Sequence, residues 1–237
     1  MNAPISTSWI DLAPGFAGYL ALPPGGRGPG LVLWPEIFGV NEHIRAVADQ
    51  YALAGFVVLA PDVFWRQTPR VELGYAGADR DRAVQLMQGY SAANALADIA
   101  LAFAVIKARP ELSGRVGSIG YCMGGRLAYL TAATTAVDAA VAYYGGGIQT
   151  QLERAASIRC PMQFHYAELD DHIPMSAVDQ VRQALLGSAA AAQTEVHVYP
   201  GAMHGFNCWA RASYHAPSAT LALGRSLGYL AHHLHGL

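Results

Sequence analysis

Residues 116–129 read Val-Gly-Ser-Ile-Gly-Tyr-Cys-Met-Gly-Gly-Arg-Leu-Ala-Tyr, an apolar strand that runs without a linker into a helical pattern. Where the two meet stands Gly120-x-Cys122-x-Gly124. A strand that turns straight into a helix holds its central residue on a strained backbone, and only residues lacking a Cβ let strand and helix pass that closely. The segment therefore predicts a strand–turn–helix unit that raises the Cys122 sulfur at a helix N-terminus, whose dipole favours a thiolate. A lone cysteine is more often buried and inert. The rest of the chain has to decide whether this one reacts.

The surrounding pattern is that of an α/β protein. Short β-branched or aromatic runs predict about eight strands, near 8–12, 16–22, 30–35, 56–60, 115–120, 139–144, 161–167 and 194–199. The unbroken apolar runs Leu31-Val32-Leu33-Trp34 and Phe56-Val57-Val58-Leu59 suit strands buried on both faces of a parallel sheet. Helices must cover such a sheet. One is predicted from Glu42 to Ala54, where Ile44, Val47, Ala48, Tyr51 and Ala54 share a face, with Asn41 to cap its start and Gly55 its end. Another is predicted from Ala92 to Ala108 on Leu96, Ile99, Ala100, Phe103 and Ile106. The first two strands are joined by only Ala13-Pro14-Gly15, too short for a crossover helix, so they should form an antiparallel hairpin at one edge. No repeat or linker divides the 237 residues, 53% of them apolar, so one domain spanning 1–237 is expected. Trp65 to Arg82 reads as the one long irregular stretch.

Charge narrows the partners. Fifteen basic against seventeen acidic side chains give a net charge of -2, with no basic field to attract nucleic acid or an anionic membrane surface. No apolar stretch approaches the roughly 20 residues of a membrane span, and the start of the chain lacks the pattern of a secretory signal. Cys122, Cys160 and Cys208 are an odd number without close pairing, which argues against a disulfide framework or a cysteine zinc site and for a reducing, cytoplasmic compartment. His232, His233 and His235 read as solvated side chains, so neither a metal nor a cofactor is expected.

Gly-x-Cys-x-Gly between strand and helix is the Gly-x-Ser-x-Gly elbow of the α/β-hydrolase fold with sulfur in place of oxygen. In that fold the acid and the histidine follow the nucleophile in that order. The predicted strand at 161–167 leads into Glu168-Leu169-Asp170-Asp171, where Asp170 is the candidate acid by its spacing from Pro174 and Asp171 competes with it. The last predicted strand leads into Ala202-Met203-His204-Gly205, which makes His204 the candidate base. Glu36 stands at the end of the strand at 30–35 in an otherwise apolar segment. The loop after that strand supplies one oxyanion-hole amide and the residue after the nucleophile the other, which are Ile37 and Met123 here.

The chain resembles the dienelactone hydrolase (carboxymethylenebutenolidase) family from residue 30 to the last helix. The resemblance rests on Glu36-Ile37-Phe38-Gly39-Val40-Asn41, Ala60-Pro61-Asp62-Val63, Gly120-Tyr121-Cys122-Met123-Gly124-Gly125, Tyr143-Tyr144-Gly145, Asp170 with Pro174, and His204-Gly205-Phe206. It implies an α/β-hydrolase fold and hydrolysis of a small lactone or ester, of the dienelactone-to-maleylacetate type in aromatic degradation, in a monomer or weak homodimer. It also implies a triad of Cys122, Asp170 and His204, with Glu36 as the accessory carboxylate that keeps the resting thiol neutral and takes its proton when substrate arrives. Of the two arginines that hold the family's anionic substrate, Arg80 matches the first. The second position, four residues after the histidine, is Cys208, while Arg211 lies three residues further on. That departure leaves room for a broader esterase acting on uncharged esters. A non-catalytic ligand-binding relative is the remaining alternative, although such proteins usually lose a triad member.

Overall fold

A computed structural model of the chain describes residues 5–235. Its eight strands are β1 (Ser6–Ala13), β2 (Phe16–Leu22), β3 (Gly28–Trp34), β4 (Val57–Pro61), β5 (Leu112–Tyr121), β6 (Ala139–Tyr143), β7 (Met162–Ala167) and β8 (Glu195–Tyr199). They form one sheet in the order β1-β2-β4-β3-β5-β6-β7-β8. β2 pairs antiparallel with both β1 and β4, and every other neighbour is parallel. The hairpin thus occupies one edge, as its short connection requires. Every residue of β3, β4, β6 and β7 is buried. Side chains of a strand alternate between faces, so burial along the whole length needs cover on both.

The helices are α1 (Glu42–Leu53), α2 (Gly77–Gln88), α3 (Ala92–Lys107), α4 (Met123–Thr134), α5 (Met175–Leu185) and α6 (Ala216–His235). The Asn41 side chain caps α1 by accepting from the Ile44 amide, and Gly55 follows its end at φ +101°. The expected eight strands and both predicted helices are present within a few residues of their predicted limits.

One expectation fails, because the stretch Trp65–Arg82 is not irregular throughout and α2 begins at Gly77. α2 and α3 meet at a 91° bend, beyond which the Ser91 hydroxyl caps α3 by accepting from the Asn94 amide. The cause is compositional: α2 opens on Gly-Ala-Asp-Arg-Asp-Arg and buries only Ala83 and Leu86, so it has almost no apolar stripe to announce it.

Trp34, at the end of β3, ties the frame of the site together. Its indole N–H lies 3.1 Å from both Ser118 Oγ on β5 and Thr131 Oγ1 on α4. No single helix among the described residues is long and apolar enough to cross a membrane.

Candidate active site

Cys122 joins β5 to α4 at φ 56° and ψ -118°, a conformation that costs a side-chain-bearing residue energy. It is held there by its own backbone, whose amide donates to the Tyr143 carbonyl at 3.0 Å and whose carbonyl accepts from Gly125 at 2.9 Å. A Cβ at Gly120 would collide with the Gly124 carbonyl, and one at Gly124 with the Trp34 carbonyl. The glycines therefore let α4 start directly against β3 and β5.

His204 follows β8 and is buried, with Nδ1 2.8 Å from Asp170 Oδ2. Asp170 follows β7, and its other oxygen accepts from the amides of His172 at 2.9 Å and Ile173 at 3.1 Å. Asp171 is exposed and faces only the His172 ring, at 3.6 Å. Of the two candidate acids, Asp170 is thus the one that reaches the histidine. Burial acts most strongly on the His204 imidazolium and opposes its charge. The neighbouring Cys122 and the hydrogen-bonded Asp170 outweigh burial and lift its pKa to about 10.

Glu36 lies behind the cavity wall, fully buried, with Oε1 accepting from Arg211 Nη1 at 3.0 Å and Oε2 without a partner among the described residues. Desolvation raises its pKa, while the charges of Arg211 and His204, the Arg211 hydrogen bond and the Tyr75 phenol pull it back down. Arg211 reaches this carboxylate because Gly205, at φ 78°, has no side chain where the guanidinium passes. It is no surface ion-pair residue. Cys208, at the position of the second family arginine, is wholly buried, and burial followed by the nearby Glu36 charge pushes its thiol up to about 12.

These groups surround a cavity of about 320 Å³, lined on the chemical side by Cys122, Met123, Ile37 and His204. Among the described residues, neither the Ile37 nor the Met123 amide donates to a protein acceptor. Arg80 lines the same cavity from α2, exposed and without an ion pair among the described residues, and Arg211 lines it from the far side. Every expected site residue is therefore in or directly behind one cavity. No group of three or more metal-type side chains converges among the described residues.

Three neighbours were not singled out in the sequence. The His172 ring lies 4.9 Å from that of His204, Tyr144 lies 5.1 Å from it at a positive φ of 35°, and Arg126 lines the cavity from α4. Arg126 was within reach of pattern reading, since it stands one helical turn after Cys122.

With this geometry, the family model for the dienelactone hydrolase family matches residues 16–234. The chain belongs to that family. It is 32% identical over 217 residues to the carboxymethylenebutenolidase of Pseudomonas putida, covering 91% of each chain. It is 37% identical over 199 residues to that of Pseudomonas sp. strain P51, covering 84% of this chain and 81% of the relative. A crystal structure from Klebsiella pneumoniae named for dienelactone hydrolase superposes with a TM-score of 0.83 at 32% identity, covering 97% of this chain and 99% of the other. By that membership the protein is an ester or lactone hydrolase.

Proposed function

We propose that this dienelactone hydrolase relative cleaves a small anionic lactone or carboxylic ester through a covalent thioester on Cys122. The observation that carries the reading is the position of His204, which lines the same cavity as Cys122 and is hydrogen-bonded to buried Asp170. The thiolate attacks the carbonyl carbon, and the oxygen that takes up the electron pair is stabilised by the Ile37 and Met123 amides. Collapse of this intermediate expels the alkoxide, which takes a proton from the His204 imidazolium. Water then attacks the thioester while His204 accepts its proton, releasing the carboxylic acid and the thiol group. Asp170 fixes the tautomer and orientation of the imidazole throughout.

Glu36 fits a second role. Its orphaned oxygen and raised pKa suit a group that exchanges a proton with the sulfur, and its bond to Arg211 lets an arriving anion compete for that guanidinium. Arg80 at the rim suits capture of the substrate carboxylate.

The test is Cys122→Ala, which should lower kcat for dienelactone and p-nitrophenyl acetate by about 10⁴-fold or more while leaving Tm within a few degrees. Intact-protein mass spectrometry of the wild-type enzyme should show an acyl adduct that the variant lacks. Turnover by Cys122→Ala at the wild-type rate would falsify the mechanism. A comparison of kcat/KM for an anionic lactone and its neutral methyl ester separates the anionic substrate from an uncharged one.

A further inference from the structure

Three guanidinium groups line the cavity, those of Arg80, Arg126 and Arg211. Arg211 is neutralised by Glu36. Among the described residues, neither of the other two makes a side-chain hydrogen bond or an ion pair. Arg80 is exposed, so water satisfies it, but Arg126 is partly buried at the start of α4. Its guanidinium packs against Gly147, where a Cβ would stand 2.9 Å from Nη1 and 3.3 Å from Cδ. Gly147 at φ 88° and its neighbour Gly146 both face the cavity, so the turn after β6 leaves open the space into which Arg126 projects. Withdrawing a cation partly from water without a counter-ion is unfavourable until an anion joins it.

The two uncompensated cations line the same cavity, one from α2 and the other from α4. α2 presents Arg80, Val84 and Met87 to the cavity at helical spacing. Arg80 and Met87 are separated by about 10 Å along the helix axis. Cys122, one turn before Arg126 at the start of α4, lines the same cavity as both charges.

We propose that Arg126 is a specificity-determining residue that binds a second carboxylate, so that the substrate is a dicarboxylate lactone or ester with one acid group meeting Arg80 and the other Arg126. A planar guanidinium takes a carboxylate through two parallel hydrogen bonds, which is why the group suits arginine better than lysine. The proposal deepens the hydrolase reading and rests on it for the reaction, although the anion site itself can be tested without turnover.

Binding of glutarate, adipate and pimelate, each with its monomethyl ester, is measured by titration calorimetry on Cys122→Ala and on the double variant Cys122→Ala with Arg126→Gln. At least one diacid should bind Cys122→Ala about 10- to 100-fold tighter than its monomethyl ester, the range for one charge-assisted pair. That ratio should collapse towards one in the double variant, and Arg126→Lys should restore only part of it. A residue that merely packs against Gly147 would lower Tm and leave the ratio unchanged. Equal affinities for every diacid and its monoester, or a ratio insensitive to Arg126, overturns the proposal. If the ratio behaves as expected and the wild-type enzyme turns over no ester, the hydrolase reading falls and the anion site stands.

Discussion

Two buried carboxylates serve one site, and they are built differently. Asp170, in the loop after β7, has both oxygens occupied, one by His204 and the other by two backbone amides. Glu36, in the loop after β3, has one oxygen on Arg211 and the other orphaned, and its pKa is raised by burial. A carboxylate whose acceptors are all filled by fixed donors has its charge and orientation settled by the fold. One with a vacant, desolvated oxygen and a single mobile counter-ion stays close to exchanging a proton. The difference supports the proposal that the first holds the histidine and the second answers the substrate.

The strongest test of that division acts on Asp170. Asp170→Asn keeps the shape but removes the charge that sustains the imidazolium and the acceptor that fixes the tautomer, so kcat should fall by about 10³- to 10⁴-fold. Asp171→Asn should change kcat by less than about twofold, because its side chain is exposed and does not reach His204. Steady-state hydrolysis of p-nitrophenyl acetate decides it. A larger loss in Asp171→Asn would move the orienting acid to the other residue.

Legibility in the sequence divides along the same line. Asp170 and His204 could be placed because each lies directly after a strand, and β7 and β8 are short apolar runs that periodicity finds. The choice between Asp170 and Asp171 depended on which carboxylate meets two amides of the next turn, and one residue of register is below what a pattern resolves. Glu36 was visible as a charge in an apolar segment, but its partner was not. Arg211 reaches it across 175 positions of sequence through a turn whose glycine leaves a passage, and no local signal records that contact. α2 was the least legible element, since it buries too little apolar surface to carry a stripe, and with it went the geometry of the cavity wall that Arg126 closes.

A smaller effect is expected on the Glu36 side. Glu36→Gln leaves the Arg211 guanidinium, four-fifths buried, without its anion. Breaking a buried pair from one side costs more than the pair is worth, and partial exposure discounts the loss to about 2–3 kcal/mol of folding stability. Urea unfolding at neutral pH measures it, and Arg211→Gln in the same background should recover part of the loss by removing the stranded charge. If Glu36 also exchanges a proton with the sulfur, kcat/KM should drop by about 10- to 100-fold, less than for Asp170→Asn because the triad remains whole. Unchanged stability would mean that water already serves the guanidinium in place of Glu36.

The mildest perturbation separates the two carboxylates by pH alone. The Tyr75 phenol, whose hydroxyl exchanges hydrogen bonds with Asn41, lowers the pKa of Glu36 against the opposing effect of burial, and it has no part in the contacts of Asp170. Tyr75→Phe therefore favours the protonated form of Glu36. A carboxyl group whose folded pKa lies above its unfolded value binds its proton more tightly when folded, so the stability it adds is present at low pH and is lost as pH rises through the folded value. Removing the Tyr75 hydroxyl moves that loss to higher pH. The acid limb of kcat/KM, which rises as Glu36 ionises, should follow in the same direction by about one pH unit, equivalent to about 1.4 kcal/mol of lost support for the charged form. Tyr75 also accepts from Asn41 at 3.1 Å, so the variant carries a structural cost that lowers Tm at every pH. Only an effect through Glu36 displaces the limb. A limb that stays fixed while Tm falls would make Tyr75 a packing residue and leave the acid limb to another group, which would end the assignment of Glu36 as the responsive member of the pair.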